Sequence, residues 1–153
     1  MRQQREESAA AAKKRAAAEA KRAPVTFLYA SQTGTAEEIA HSLYDEAAGQ
    51  KLTASVNAMD DHKFDNLTPA KTPVLVVVAA STGDGDAPDN ARRCVLGLKT
   101  TSEPGKLKGI KFCVLGLGDS NYTKFMEVPR IIRRRLLDLG AEVCCCVRWW
   151  SLV

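Results

Sequence analysis

From residue 24 onward the chain switches repeatedly between two hydrophobic periods. Residues 25–30 form a short apolar run of strand character, and Ala36, Ile39, Ala40, Leu43 and Ala47 then recur at helical spacing, with Gly49 placed to end that helix. Residues 52–56 alternate as a second strand. The stretch 60–72 is polar, with Phe64 and Leu67 as its strong apolar anchors. Residues 74–80, VLVVVAA, are continuously apolar and rich in β-branched side chains, the mark of a central strand covered on both faces. A loop over 81–90 leads to a helix through about Leu98, and a fourth strand is predicted over 110–115. Ile131, Ile132, Leu136 and Leu139 give a further helix closed by Gly140, and residues 142–147 read as a fifth strand. Strands and helices in strict alternation predict an α/β fold, a doubly wound parallel sheet of five strands between helix layers.

Three of the strand-to-helix junctions, residues 31–36, 81–90 and 116–126, carry glycine, hydroxyl or amide groups in place of ordinary turns. In a doubly wound sheet they project from the carboxyl edge, where ligands bind at the switch in strand order. The first junction, Ser31, Gln32, Thr33, Gly34, Thr35 and Ala36, offers three hydroxyls and the free N–H groups of a helix start, together with roughly half a positive charge of helix dipole. That suits a phosphate, and with no lysine after the glycine it suits a monoester better than a nucleoside triphosphate. An ordinary N-cap accounts for one hydroxyl, not for three beside a glycine. One loop for a phosphate and two for a flat body make a cofactor cleft.

The 153 residues suit one domain, with no apolar run of the roughly 18 residues that a membrane span needs. The net charge of +4 resides in residues 1–22, which hold seven Lys/Arg against three Glu; the remainder balances at fifteen of each sign. The body therefore gives no electrostatic case for nucleic acid. Residues 1–22 are rich in Ala, Lys, Arg and Glu, with no large apolar side chain after Met1, and read as a solvated tail before a domain over 23–153. The odd number of cysteines, Cys94, Cys113, Cys144, Cys145 and Cys146, none in a CxxC spacing, reads as reduced thiols in a cytoplasmic protein rather than as a metal site.

Together, FLYASQTGTAEEIA, STGDGDAPDNARR and FCVLGLGDSNYTKF resemble the FMN-binding, flavodoxin-like domain of the diflavin reductases, the family of cytochrome P450 reductase, the sulfite reductase flavoprotein and methionine synthase reductase. The resemblance covers about residues 24–141 and leans toward methionine synthase reductase. It implies strand order 2-1-3-4-5 and FMN as cofactor. Ser31, Gln32, Thr33, Gly34 and Thr35 match the phosphate loop. Ser81, Thr82, Gly83, Asp84 and Gly85 match the loop along one face and edge of the isoalloxazine. Leu117, Gly118, Asp119, Asn121, Tyr122 and Phe125 match the second flavin loop, with Tyr122 as the aromatic lying flat on the ring. Relatives resembling P450 reductase carry an aromatic near position 82; here it is Thr82, which leaves that ring face less shielded or covered by something else.

The function implied is electron transfer. FMN would take electrons from an FAD/NADPH reductase module and pass them to a metalloprotein acceptor, with no catalytic side chain. Lacking a pyridine-nucleotide module, the chain is then part of an NADPH-dependent oxidoreductase and not a complete reductase. Asp84, Asp86, Asp89 and Asp119 either steer a basic partner toward the flavin edge or serve solvation and capping; Arg133, Arg134 and Arg135 read as a solvated helix face. Two departures stand out. Met126, Glu127, Val128 and Pro129 replace a small-residue turn. After the fifth strand, where the family has an acidic loop and a last helix, the chain reads Cys144 to Val153. The expectation is a truncated or spliced product with the last helix missing and one sheet face uncovered, Trp149 and Trp150 folding over part of it. A cofactor-free interaction module is the alternative. A phosphatase or kinase built on the Ser/Thr loop is disfavoured by the absence of a cysteine or P-loop lysine there.

Overall fold

A computed structural model of the chain describes residues 23–118, 121, 123–144 and, for the backbone alone, 148–151. The tail of residues 1–22 and the predicted site residues Asp119 and Tyr122 lie outside the described residues, as do Cys145 and Cys146.

Among the described residues, six strands and four α-helices are formed, strand and helix alternating as far as β5. They are β1 (Val25–Ala30), α1 (Thr35–Gly49), β2 (Ala54–Ala58), the short α2 (Met59–His62), β3 (Val74–Ala80), α3 (Arg92–Thr100), β4 (Lys111–Gly118), α4 (Glu127–Asp138), β5 (Glu142–Val143) and β6 (Arg148–Ser151), with a 3₁₀ turn over Phe64–Asn66. The order β2-β1-β3-β4-β5 is parallel at every pairing, as expected from the alternating pattern. Because β1 is followed by β2 on one side and β3 on the other, the strand order reverses between β1 and β3. At the carboxyl edge Ala30 lies opposite Ala79, and Ala80 opposite Leu117. The three polar junctions therefore leave neighbouring strands at one rim.

One face of the sheet carries the larger core. Leu28, Leu75, Val77, Phe112 and Val114 pack there with Cys94, Val95, Leu98, Ile132 and Leu136 from α3 and α4. Burial pushes the Cys94 thiol up to about 12, with Asp60 reinforcing it, so it stays protonated and serves as packing. On the other face α1 sets Ala36 and Ala40 against Val78 and Leu117. Strand alternation puts Val74, Val76, Cys113 and Leu115 on this second face, and all four are half-buried.

The fifth-strand position differs from the sequence expectation. Instead of one strand over 142–147, it holds two segments beside β4: Glu142 and Val143 opposite Lys111 and Phe112, and Arg148 to Ser151 opposite Leu115 to Gly118. Six residues separate Glu142 from Arg148 while four separate their β4 partners, so the edge takes up two extra residues. The backbone of Trp149 and Trp150 pairs with Gly116 and Leu117 of β4; their side chains lie outside the described residues. Glycine also ends helices differently at two points. Gly140 closes α4 at φ 99°, as predicted, whereas α1 runs through Gly49 and the left-handed residue there is Lys51, φ 60°.

Candidate flavin site

The first junction is a tight turn built from its own hydroxyl. Ser31 Oγ accepts from Gly34 N at 2.9 Å, and Gly34, at φ 101°, sets the left-handed bend that only glycine takes without strain. Helical hydrogen bonding begins with Glu38 N on Gly34 O at 2.9 Å. The backbone N–H groups of Thr33, Thr35, Ala36 and Glu37 consequently meet no acceptor among the described residues. Thr33 and Thr35 are exposed, and the Ser31 hydroxyl still has its proton to donate. Of the two carboxylates in the first helical turn, Glu37 accepts from Tyr29 Oη at 3.2 Å. Burial, with Glu37 beside it, raises the Tyr29 pKa and keeps that phenol a donor. The result is a cluster of donors at a helix start, the chemistry of a phosphate cradle.

Gln32 does not belong to that cluster. Its amide is held at both ends by Asp89, Nε2 donating to Oδ2 at 3.2 Å and Oε1 accepting from the backbone N at 3.0 Å. Ser31 N donates to Asn90 Oδ1 at 3.0 Å. Asp89 and Asn90 lie beyond the ring-loop residues singled out by resemblance, yet they tie that loop to the phosphate loop.

The ring loop folds back on itself. Thr82 N donates to Asp86 O at 2.9 Å and Asp86 N to Thr82 O at 2.8 Å, with Gly83 and Gly85 at φ 51° and 94°. Asp84 and Asp86 are exposed, while the Asp89 carboxylate is taken up by Gln32 and, at 3.0 Å, by Arg92. Ser81 Oγ accepts from Val128 N at 3.0 Å, supplying an acceptor to the first turn of α4. Ser81 thereby joins the ring loop to the segment after β4.

That segment completes a cleft of about 250 Å³ lined by Ser81, Thr82, Gly83, Gly118, Lys124, Phe125 and Met126. The two loops meet most closely at Gly85, where a Cβ would lie 2.9 Å from Lys124 Cδ and 3.0 Å from Lys124 Cβ; a Cβ on Gly118 would make ordinary contact with Met126 Sδ and the Phe125 ring at 3.4 Å. Leu117 is 2% exposed and packs on Ala36 and Ala40, so its side chain belongs to the core. Asn121 is exposed. Met126 takes the left-handed turn, φ 58°, that a small residue adopts more easily, and buries its side chain beside the cleft. Pro129 sits third in α4, where a missing N–H costs nothing. Of the three consecutive arginines, Arg135 is not solvated display: its Nε donates to Leu98 O at 2.7 Å and its Nη2 to Thr101 O, satisfying carbonyls at the end of α3.

A phosphate cradle at the reversal point of a 2-1-3-4-5 sheet, with a slot beside it, is an arrangement that holds a ligand in flavodoxin-like folds, and the flavodoxin family model matches residues 27–148. The chain belongs to the flavodoxin family. It is 44% identical over 116 residues to methionine synthase reductase of Caenorhabditis elegans, covering 74% of this chain and 17% of that protein. It is 40% identical over 121 residues to NADPH-dependent diflavin oxidoreductase 1 of Bos taurus, covering 78% and 20%. Among solved structures, oxidised flavodoxin 2 of Bacillus cereus superposes with a TM-score of 0.70 at 25% identity, over 85% of each chain. The chain thus spans about a fifth of the length of the curated relatives it matches. It is an FMN-binding domain of the diflavin reductase type. The residues fit that cofactor: the N–H groups of Thr33, Thr35 and Ala36 with the Ser31, Thr33 and Thr35 hydroxyls suit the phosphate, and the slot between the ring loop and Phe125 suits a flat ring.

Proposed function

We propose that this domain relays electrons from an NADPH/FAD reductase module to a metal-containing acceptor protein. FMN supplies the redox chemistry, accepting electrons and passing them on singly. The protein's own part is to hold the phosphate at the Ser31–Thr35 turn, bracket the ring between Thr82 and Phe125, and leave one rim open. The observation carrying this reading is the combination of a cradle of donors that meet no acceptor among the described residues with a slot beside it lined by Ser81, Thr82, Gly118 and Phe125. The relatives add direction, since one is named for NADPH and two flavins and another as a reductase of methionine synthase. Asp84 and Asp86, exposed on the ring loop, would steer a basic partner to that rim. The odd number of cysteines, none in a CxxC spacing, favours the cytoplasm as the compartment. Among the described residues no helix is long and apolar enough to cross a membrane.

The test mixes the FMN-loaded chain anaerobically with a separately produced NADPH/FAD reductase module, using cytochrome c as a metalloprotein acceptor. NADPH-dependent cytochrome c reduction that requires the loaded chain is the expected result. A chain that binds FMN but neither accepts electrons from the module nor reduces the cytochrome refutes the relay.

A further inference from the structure

The phosphate loop is held from outside by residues that do not belong to it. We propose that Asn90 is a positioning residue for FMN: its side chain fixes the phosphate loop in binding shape before the cofactor arrives. Ser31 N donates to Asn90 Oδ1 at 3.0 Å, across 59 residues of sequence. The reciprocal Gln32–Asp89 pair, at 3.2 and 3.0 Å, adds a second tie one residue along. These ties sort the donors of the loop. The Ser31 N–H, the Gly34 N–H and the Gln32 amide are engaged within the protein, while the N–H groups of Thr33, Thr35 and Ala36 are left over.

Asn90 is itself well anchored. Its carbonyl accepts from Asp60 N at 2.9 Å, and Asp60 Oδ1 accepts from Cys94 N at 2.8 Å in the first turn of α3. The loop is thus tied, through the Asn90 and Asp60 side chains, to the start of a helix packed in the main core. A cradle already ordered in this way loses little conformational freedom on binding, which is where preorganisation gains affinity. Replacing Asn90 by alanine leaves its backbone bond to Asp60 in place and removes only the tie to Ser31.

The proposal rests on the assignment of this loop to the FMN phosphate, so riboflavin, which lacks the phosphate, is the control ligand. In Asn90→Ala, FMN binding measured by fluorescence quenching should weaken about tenfold, the effect of one net hydrogen bond, with riboflavin binding unchanged. Amide hydrogen exchange on the cofactor-free protein gives an independent arm: Ser31 N–H should be protected in the wild type and lose protection in the variant, while Val77 in the central strand keeps its own. Unchanged FMN affinity, or an equal loss for both ligands, overturns the proposal. So does a Ser31 amide that is unprotected in the cofactor-free wild type. A wild type that binds FMN no better than riboflavin refutes the phosphate assignment instead, and the exchange arm then still decides whether Asn90 holds the loop.

Discussion

Gly85→Ala should damage the ring end of the site and leave the phosphate end intact. Two costs follow from the structure. At φ 94° an L-residue is strained, by about 1–2 kcal/mol. The new Cβ would also lie 2.9 Å from Lys124 Cδ, 3.0 Å from Lys124 Cβ and 3.3 Å from Glu127 Cβ. The lysine tail can swing away, but the two Cβ atoms move only with the turn that enters α4, so overpacking adds about 1–2 kcal/mol. The sum, about 2–4 kcal/mol, is a large share of the roughly 5–15 kcal/mol that holds a domain together. Urea unfolding of the cofactor-free protein measures it. Gly105→Ala is the control, because φ there is 76° and nothing lies within 4 Å of its Cβ, so it carries the backbone strain alone. The difference between the variants isolates the contact between the two flavin loops. Titration should show FMN and riboflavin weakened alike, unlike the phosphate-selective loss expected for Asn90→Ala. Equal unfolding free energies for Gly85→Ala and Gly105→Ala, with wild-type ligand affinities, would refute the reasoning.

Gly97→Ala in α3 should destabilise by about 1–2 kcal/mol despite a gain of about 1 kcal/mol in helix propensity, because the Cβ meets Phe64 Cγ at 2.8 Å and Lys106 Nζ lies on that ring, 5.3 Å from its centroid; a raised thermal midpoint would show that the ring swings aside. His62 is half-buried, and burial, reinforced by the Lys71 charge, lowers its pKa below 6.5. The unfolded chain then binds the proton first as pH falls, so this contribution to stability is full above about pH 6.5 and lost as pH drops through the lowered folded value. Urea midpoints between pH 5 and 7.5 should show that slope, and His62→Gln should flatten it; a slope unaltered by the substitution counts against the assignment. Thr82→Tyr should tighten FMN and riboflavin together by about 0.5–1.5 kcal/mol through ring stacking, and a tyrosine variant that binds more weakly would mean that Thr82 does not face the ring.

What was legible in the chain divides along a physical line. β3 was readable because VLVVVAA is apolar at every position, as only a strand covered on both faces tolerates, and the hydroxyls of the first junction were readable because Ser31, Thr33 and Thr35 are close in sequence. The fifth strand was readable at its start, Glu142, but the second segment, Arg148–Ser151, was not, because its register is set by pairing with β4. The arginine run misled for a related reason. Arg133, Arg134 and Arg135 are alike in sequence, but one lies against the end of α3 and fills its carbonyls while Arg134 is exposed. Asn90 could not be singled out at all, because its partner lies 59 residues away and only the β1–β3 reversal brings the two loops together.

The two ends of the site are therefore built on different principles. At the phosphate end, side-chain ties from Asp89 and Asn90 hold the loop from outside, and the donors left for a phosphate are backbone N–H groups together with the Ser31, Thr33 and Thr35 hydroxyls. At the ring end, Gly83, Gly85 and Met126 all sit at positive φ, and the loops meet through contacts so close that one added carbon is felt. On the proposed assignment, anchoring at the phosphate end sets where the cofactor sits, and the ring-end residues set what surrounds its ring. Changes at position 82 should alter the ring's exposure while the FMN-over-riboflavin preference stays constant. Changes at Asn90 should do the reverse.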